Sequence, residues 1–168
     1  MKNTVLKFGG YGLILGAVIF GLALTFGNGL SYTAQEIIGY GSMVASLSFV
    51  YFGIRHYRDN VNDGNVSFGK ALLIGVLIST FVGFGVGLID YLYTTVINPD
   101  FAEEYLAKTL ASYETLYSGE ELTTKKAELT KQMEDYGGSG FMATLMFMTV
   151  LLIGLIVSII SALILQRK

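Results

Sequence analysis

Residues 70–97 read KALLIGVLISTFVGFGVGLIDYLYTTVI. The formally charged side chains of this stretch are Lys70, at its start, and Asp90, close to its end. A hydrocarbon core about 30 Å thick is crossed by about 20 helical residues at 1.5 Å each, so the run from 71 to 97 predicts a membrane-spanning helix. The fold is therefore expected to form in lipid, around this helix.

Small residues recur at every fourth position of the predicted helix and so follow one of its faces. Lipid removes the hydrophobic drive between helices, and close backbone approach along such a face supplies packing energy instead. The stripe consists of Ala71, Gly75, Ser79, Gly83 and Gly87. We expect it to be a helix-packing face that makes this helix the central element. The same spacing also suits dimerisation, so a homo-oligomer remains an alternative.

Three further apolar stretches pass the same length test, at about 8–26, 37–54 and 141–165. The whole chain is 52% hydrophobic and only 14% charged, whereas a soluble domain carries about 25% charged residues. Ala23-Leu24-Thr25 is a poor cleavage site, so the first stretch is expected to remain a helix rather than act as a signal peptide. We predict an all-α, polytopic membrane protein, with residues 1–168 forming one membrane domain of four transmembrane helices.

The charges predict an orientation for these helices. The N-terminus, the segment between the second and third spans, and the C-terminus together hold seven of the eleven Lys and Arg residues, and their net charge is +5. Residues 98–139 hold four lysines and nine acids, a net charge of -5. By the positive-inside rule, both termini are expected to be cytoplasmic and 98–139 extracytoplasmic. The net charge of -2 for the whole chain hides this asymmetry.

Basic residues near the inner helix ends are candidates for contact with lipid headgroups and for setting topology. They are Arg55, Arg58, Lys70, Arg167 and Lys168. Recognition of an anionic lipid or of a cytoplasmic partner is the alternative interpretation of the same residues.

The long segment 98–139 has the pattern of a helical hairpin. Asn98-Pro99-Asp100 is a helix start, with Asn98 able to cap and Pro99 suited to the first helical position. Ser118-Gly119 breaks the helical pattern, and Gly137-Gly138 ends it. Apolar residues recur at helical spacing in each arm: Leu106, Leu110, Tyr113 and Tyr117, then Leu122, Leu129, Met133 and Tyr136. The first arm is expected to continue from the third span. The hairpin is either a cap over the outer helix ends or a docking platform for a partner.

The composition offers little for catalysis or for binding metals. The chain has no cysteine and one histidine, His56, so thiolate metal sites are excluded and His56 has no partner ligand. A Ser, His and acid set for hydrolysis is also missing from the pattern. We therefore expect no catalytic residue, no metal, no cofactor and no enzyme. The acidic segment argues against nucleic acid as a partner.

Two acidic residues, Glu36 and Asp90, lie near the predicted outer helix ends. Ionisable groups inside a bilayer are costly and mark ion paths when they occur. Together the two carboxylates are a candidate cation-attracting mouth, although a solvated or helix-capping role is the simpler interpretation of Asp90.

Several short motifs resemble the domain-of-unknown-function 4199 (DUF4199) family of small bacterial membrane proteins. They are Tyr11-Gly12-Leu13-Ile14, the run from Ile54 to Asp59, Val66-Ser67-Phe68-Gly69-Lys70-Ala71, Ile97-Asn98-Pro99-Asp100-Phe101, and Gly140-Phe141-Met142-Ala143. Their order and spacing extend the resemblance over nearly the whole chain. The resemblance implies a four-helix protein of the bacterial inner membrane, and it implies no activity and no catalytic residues.

These observations favour a non-enzymatic scaffold or accessory subunit that acts through helix packing and its outer hairpin. Its expected partners are the lipid bilayer and either a second copy or another membrane protein. The alternative is a small transporter or channel component, expected to be oligomeric because one protomer offers little polar lining.

Overall fold

The computed structural model describes residues 1–27, 30 and 32–167, without the side chains of residues 32, 33, 35 and 36. The described residues form six α-helices: α1 (Lys2–Phe26), α2 (Tyr32–Val61), α3 (Phe68–Leu92), α4 (Phe101–Leu116), α5 (Gly119–Tyr136) and α6 (Ser139–Leu165). A π-helical segment, Tyr93–Ile97, extends α3. Four helices are long and apolar enough to cross a membrane, over Lys2–Phe26, Ile37–Val61, Phe68–Ile97 and Ser139–Leu165. The predicted fold class, an all-α protein with four membrane-spanning helices, is confirmed.

Two helices extend beyond the apolar stretches that the sequence marks. α1 begins at Lys2, and α2 continues through Arg55 and Arg58 to Val61. Hydropathy detects only the part of a helix that lies in lipid. The helix itself can continue further, because long charged side chains near its end reach water. In α2 this extension carries an ion pair between residues one helical turn apart, with Arg55 Nε 3.5 Å from Asp59 Oδ2.

α3 is the centre of the bundle and packs on α1, α2 and α6. α3 runs antiparallel to α6, since Gly75 lies opposite Ser158 and Gly87 lies opposite Ala143. It runs parallel to α1, where Gly9 lies against Phe81 and Gly21 against Ile89. The end of the bundle at which α1 starts and α6 stops is called the terminal end, and the opposite end, from which α4 and α5 emerge, the hairpin end.

The π-helical segment determines how the chain leaves the bundle. The amide of Asn98 donates to the carbonyl of Tyr93 at 2.8 Å, which closes the wider π turn. The hydroxyls of Thr94 and Thr95 donate to carbonyls of the preceding turn at 2.9 and 2.6 Å. Asn98 itself leaves helical geometry, with φ -136° and ψ 81°. The chain therefore breaks between α3 and α4, and α4, the predicted first arm, is a separate helix rather than a straight continuation of α3.

The start of α4 differs in detail from the predicted cap. Asp100, rather than Asn98, occupies the N-cap position. The Asn98 side-chain amide donates instead to the Glu104 carboxylate at 3.2 Å, and the Asn98 carbonyl accepts from the amide of Phe101 at 3.2 Å. Asn98 therefore stabilises the first turn of α4 although it lies before the helix begins.

α4 and α5 pack on each other more than on the bundle. Lys126 Nζ donates to Glu114 Oε1 at 2.6 Å between the two helices. Among the described residues of the pair, Leu129 alone is buried. The two helices therefore share a thin apolar seam and keep most of their surface exposed.

The terminal end is closed by a two-residue bridge. Val66 and Arg167 exchange both backbone hydrogen bonds, each at 2.9 Å. The turn before the bridge contains Asp63 and Gly64 at φ 50° and 81°, left-handed values that glycine adopts without strain. The bridge joins the α2–α3 loop to the end of α6 and brings Val66 to 1% exposure.

Candidate functional site

The predicted small-residue stripe lies in the interface between α3 and α6. All five of its residues, Ala71, Gly75, Ser79, Gly83 and Gly87, are buried. A Cβ added at Gly75 would meet Ser158 Oγ at 2.5 Å, and one at Gly87 would meet the carbonyl oxygen of Ala143 at 3.0 Å. α6 of the same chain therefore covers this face in the described structure, which leaves no room on it for a second copy.

A second close approach joins α1 to α3. A Cβ at Gly12 would lie 2.7 Å from Val82 Cγ2, and one at Gly85 would lie 2.8 Å from the carbonyl oxygen of Leu13. Gly85 stands outside the fourfold spacing of the predicted stripe, and sequence reasoning did not select it. The signal was present in the alternation of Gly83, Gly85 and Gly87, because glycines two residues apart on a helix face different neighbours.

Buried serines in the bundle satisfy their own hydrogen bonds. The hydroxyls of Ser46, Ser79 and Ser158 donate to carbonyls four residues earlier at 2.7, 2.9 and 2.6 Å. Such back-bonding leaves little polarity to offer a solute. Around them Leu47 and Ile78 have 0% exposure. The centre of the bundle is therefore a packed layer rather than a polar path.

Asp90 lies inside the bundle, near the hairpin end of α3. Its residue exposure is 2%, and its Oδ2 atom has no hydrogen-bond partner in the described structure. The sequence placed Asp90 at the outer helix end, where a solvated or capping role was the simpler interpretation. The span ends at Ile97, as predicted, and Asp90 is buried because α1, α2 and α6 pack around α3. The side chain of Glu36, its proposed partner in a mouth, lies outside the described residues.

The basic residues of the terminal end do not form one cluster. Arg55 and Arg58 both pair with Asp59, and Arg58 Nη1 also donates to the carbonyl of Leu165 at 3.4 Å. Lys70 Nζ lies 5.6 Å from the centre of the Tyr57 ring. Arg167 contributes its backbone to the bridge with Val66, and Lys168 lies outside the described residues. Arg58 therefore links α2 to the end of α6, and Lys70 links the start of α3 to α2.

A second group of charges at the terminal end surrounds a cavity of about 370 Å³, which Lys2, Lys7 and His56 help to line. The Nδ1 atom of His56 is buried without a partner in the part of the chain that the structure describes. The His56 ring lies 5.2 Å from the ring of Phe8, between centroids. The sequence groups His56 with Arg55 and Arg58, whereas the structure places its ring against Phe8 of α1.

At the hairpin end, α4 lies over the bundle and leaves a cleft of about 350 Å³, called here the roofed cleft. Its walls come from Phe20 and Leu24 of α1, Gly39, Tyr40 and Met43 of α2, and Met146 of α6; its roof comes from Phe101, Glu104, Tyr105 and Lys108 of α4. No sequence motif marks the cleft, because four helices distant in sequence contribute to it. Among the described residues that line it, only the i,i+4 pair Glu104 and Lys108 carries formal charge.

The chain matches one family model, described as a protein of unknown function (DUF4199), over residues 7–167, which is nearly the whole chain. No curated protein and no solved structure matches it.

Proposed function

The chain belongs to the DUF4199 family of proteins of unknown function, and on that premise we propose that it is a non-enzymatic scaffold or accessory subunit of the bacterial inner membrane. In this proposal the four-helix bundle holds the protein in lipid, and the α4–α5 pair is the element that docks a partner outside the cytoplasm. The observation that carries the proposal is the contrast between a closed bundle and an exposed, acidic helix pair.

The packing of the bundle supports a holding role rather than a conducting one. Glycine and serine faces bring α3 close to α1 and to α6, and the buried serine hydroxyls are already bonded to backbone carbonyls. A solute path needs polar lining groups that are free to coordinate the solute. Close packing of this kind instead gives a rigid bundle that can hold the α4–α5 pair in place.

The charge of α4 and α5 supports docking. Two ion pairs are described within the pair, Lys126 with Glu114 and Lys125 with Glu128. The hydrogen bond and the charge of Lys126 hold the pKa of the Glu114 carboxyl below its usual value. The corresponding bond to Glu128 raises the pKa of Lys125. Glu120, Glu121 and Glu134 have no described ion-pair partner, so a basic partner surface would find uncompensated carboxylates there.

Two exposed apolar side chains lie at opposite ends of the pair, one beside the α4–α5 turn and one beside the start of α6. Leu116, at the end of α4, is 70% exposed, and Tyr136, at the end of α5, is 52% exposed. Interfaces combine an apolar contact with a charged rim. We therefore assign the partner a basic surface with separate apolar contacts to Leu116 and to Tyr136.

The docking proposal is tested by quantitative co-purification from native membranes. The wild-type chain is compared with one in which residues 100–136 are replaced by a short linker, and with a Glu120→Gln, Glu121→Gln, Glu134→Gln triple variant. We expect one stoichiometric partner that the linker variant loses and that the triple variant retains less well than the wild type at low ionic strength, and this difference should shrink as added salt screens the charges. A partner retained equally by all three chains contradicts the proposal.

A transporter or channel component is the second candidate, and the unpartnered Oδ2 of Asp90 is the observation that favours it. Buried carboxylates within a span are frequent elements of ion paths. Purified protein in liposomes separates the candidates. Saturable cation flux that disappears in Asp90→Asn or Glu36→Gln would overturn the scaffold proposal, whereas the scaffold proposal predicts no flux above that of protein-free liposomes.

A further inference from the structure

The roofed cleft lies where the spans end and α4 begins. Phe20 and Leu24 belong to the last turns of α1, and Met146 lies seven residues into α6, about 10 Å along the helix at 1.5 Å per residue. The cleft therefore extends from the hairpin-end surface into the depth at which acyl chains lie. Its volume of about 350 Å³ is at the lower end of the range for small-molecule sites, about 300–1,000 Å³.

The inner part of the cleft is mainly apolar, and the Thr149 hydroxyl that lines it already donates to the carbonyl of Leu145 at 2.8 Å. Phe20 and Met43 are 5% and 4% exposed, and Leu24 and Met146 pack against the same core. Methionine and phenylalanine walls adapt to flexible hydrocarbon and offer no directional hydrogen bond. The depth of the cleft therefore fits an acyl chain better than a polar solute.

The roof adds one charge of each sign. Glu104 and Lys108 are one turn apart on α4 and both line the cleft, yet the described ion pairs do not include a bond between them. Glu104 Oε2 accepts from Asn98, which still leaves acceptor capacity on the carboxylate. Lys108 has no described partner for its three donor hydrogens. Two separated opposite charges complement a headgroup that carries both signs.

We infer that the roofed cleft binds one zwitterionic phospholipid, with an acyl chain among Phe20, Met43 and Met146, its phosphate at Lys108 and its ammonium at Glu104. An ethanolamine headgroup fits better than a choline one, because a primary ammonium can donate hydrogen bonds to a carboxylate. The bound lipid links α4 to α1, α2 and α6, helices with which α4 itself makes few direct contacts.

Gly39 and Gly41 give a matched pair for testing the acyl site. A Cβ at either glycine meets none of the described atoms within 4 Å, so there is open space beside both positions in the part of the chain that the structure describes. Gly39 lines the cleft and Gly41 does not. Gly39→Leu therefore fills the space that the acyl chain would occupy, and Gly41→Leu is the control.

Binding can be read from a single tryptophan, since the natural chain has none. Tyr105→Trp places the reporter in the cleft, and Tyr113→Trp places a control reporter further along α4. In detergent micelles, phosphatidylethanolamine with brominated acyl chains should quench the cleft reporter saturably and the control reporter only weakly. In the Tyr105→Trp background, Gly39→Leu should raise the half-saturating lipid concentration about tenfold, equivalent to ~1.4 kcal/mol, while Gly41→Leu leaves it unchanged. Equal half-saturation in the two leucine variants overturns the inference.

The headgroup assignment has its own test, on exposed residues whose replacement does not disturb the core. Lys108→Gln should weaken binding of both phosphatidylethanolamine and phosphatidylglycerol, with Lys131→Gln on α5 as the control. Glu104→Gln should weaken binding of phosphatidylethanolamine only, because phosphatidylglycerol has no ammonium. Unchanged affinity for phosphatidylethanolamine in both variants overturns the inference, including in the case where Gly39→Leu does not yield folded protein.

Discussion

The bundle and the α4–α5 pair are helical to a similar degree, but different forces hold them. In the bundle, glycine and serine faces let backbones approach so closely that a Cβ at Gly85 would lie 2.8 Å from the carbonyl oxygen of Leu13. In the pair, one buried leucine and one inter-helix ion pair hold the two helices together. The comparison indicates that added side-chain volume should lower the stability of the bundle. The stability of the pair should instead depend on a few contacts and charges.

The largest effect is expected from adding volume to the bundle. A Cβ at Gly83 would lie 3.1 Å from both the ring and the carbonyl oxygen of Phe147, so Gly83→Leu forces α3 and α6 apart. Gly10→Leu is the control, because a Cβ there meets nothing within 4 Å. We expect Gly83→Leu to lower the free energy of unfolding by about 2–3 kcal/mol, measured by denaturant unfolding in mild detergent. Equal stability of the two variants would show that the α3–α6 interface is wrong.

A smaller and more local effect is expected in the pair. Leu129 is 8% exposed, so Leu129→Ala should cost about 2 kcal/mol at the α4–α5 seam. Leu116→Ala, at a residue that is 70% exposed, is the control. Hydrogen exchange should accelerate across α4 and α5 and remain unchanged in α3 and α6. Faster exchange throughout the bundle would mean that the two regions unfold together.

The smallest effect is the dependence of the α4–α5 pair on pH. Because Lys126 lowers the pKa of Glu114, the ion pair contributes above the usual glutamate pKa and is lost as the pH falls through the lowered value. Spin labels on cysteines introduced at Ala111 and Ala127 of this cysteine-free chain report the separation of α4 and α5. We expect the distance distribution to broaden on acidification. In the Glu114→Gln variant the distance distribution should be broad at every pH. A wild-type distribution that does not change with pH would contradict the stabilising role of the Lys126–Glu114 ion pair.

Local sequence was sufficient to predict the features that depend on local composition. The four spans are confirmed, because long apolar runs such as 71–97 have few ways to satisfy their backbone in lipid other than helix formation. Membership of the DUF4199 family is confirmed by a match over residues 7–167. The inner-membrane location, the cytoplasmic termini and the extracytoplasmic position of α4 and α5 stay predictions.

The features that could not be predicted from the sequence depend on which helices pack against each other in the folded chain. The fourfold spacing on α3 identified a packing face but could not say that α6 covers it, since α1 and α2 carry small residues as well. The burial of Asp90 likewise depends on how α1, α2 and α6 pack around α3, which the residues next to Asp90 in the sequence do not indicate. The roofed cleft requires α4 to fold back over α1, α2 and α6, and therefore has no counterpart in any single segment.

The central claim is that the bundle crosses the membrane with its terminal end on one side and the α4–α5 pair on the other. Single cysteines at Asn62, in the α2–α3 loop, and at Ser118, between α4 and α5, test it directly in a chain that has no other thiol. In intact cells stripped of the outer membrane, a membrane-impermeant maleimide should label Ser118→Cys, and should label Asn62→Cys only after the membrane is permeabilised. Labelling of both cysteines from the same side would contradict the four-span topology and the docking role built on it.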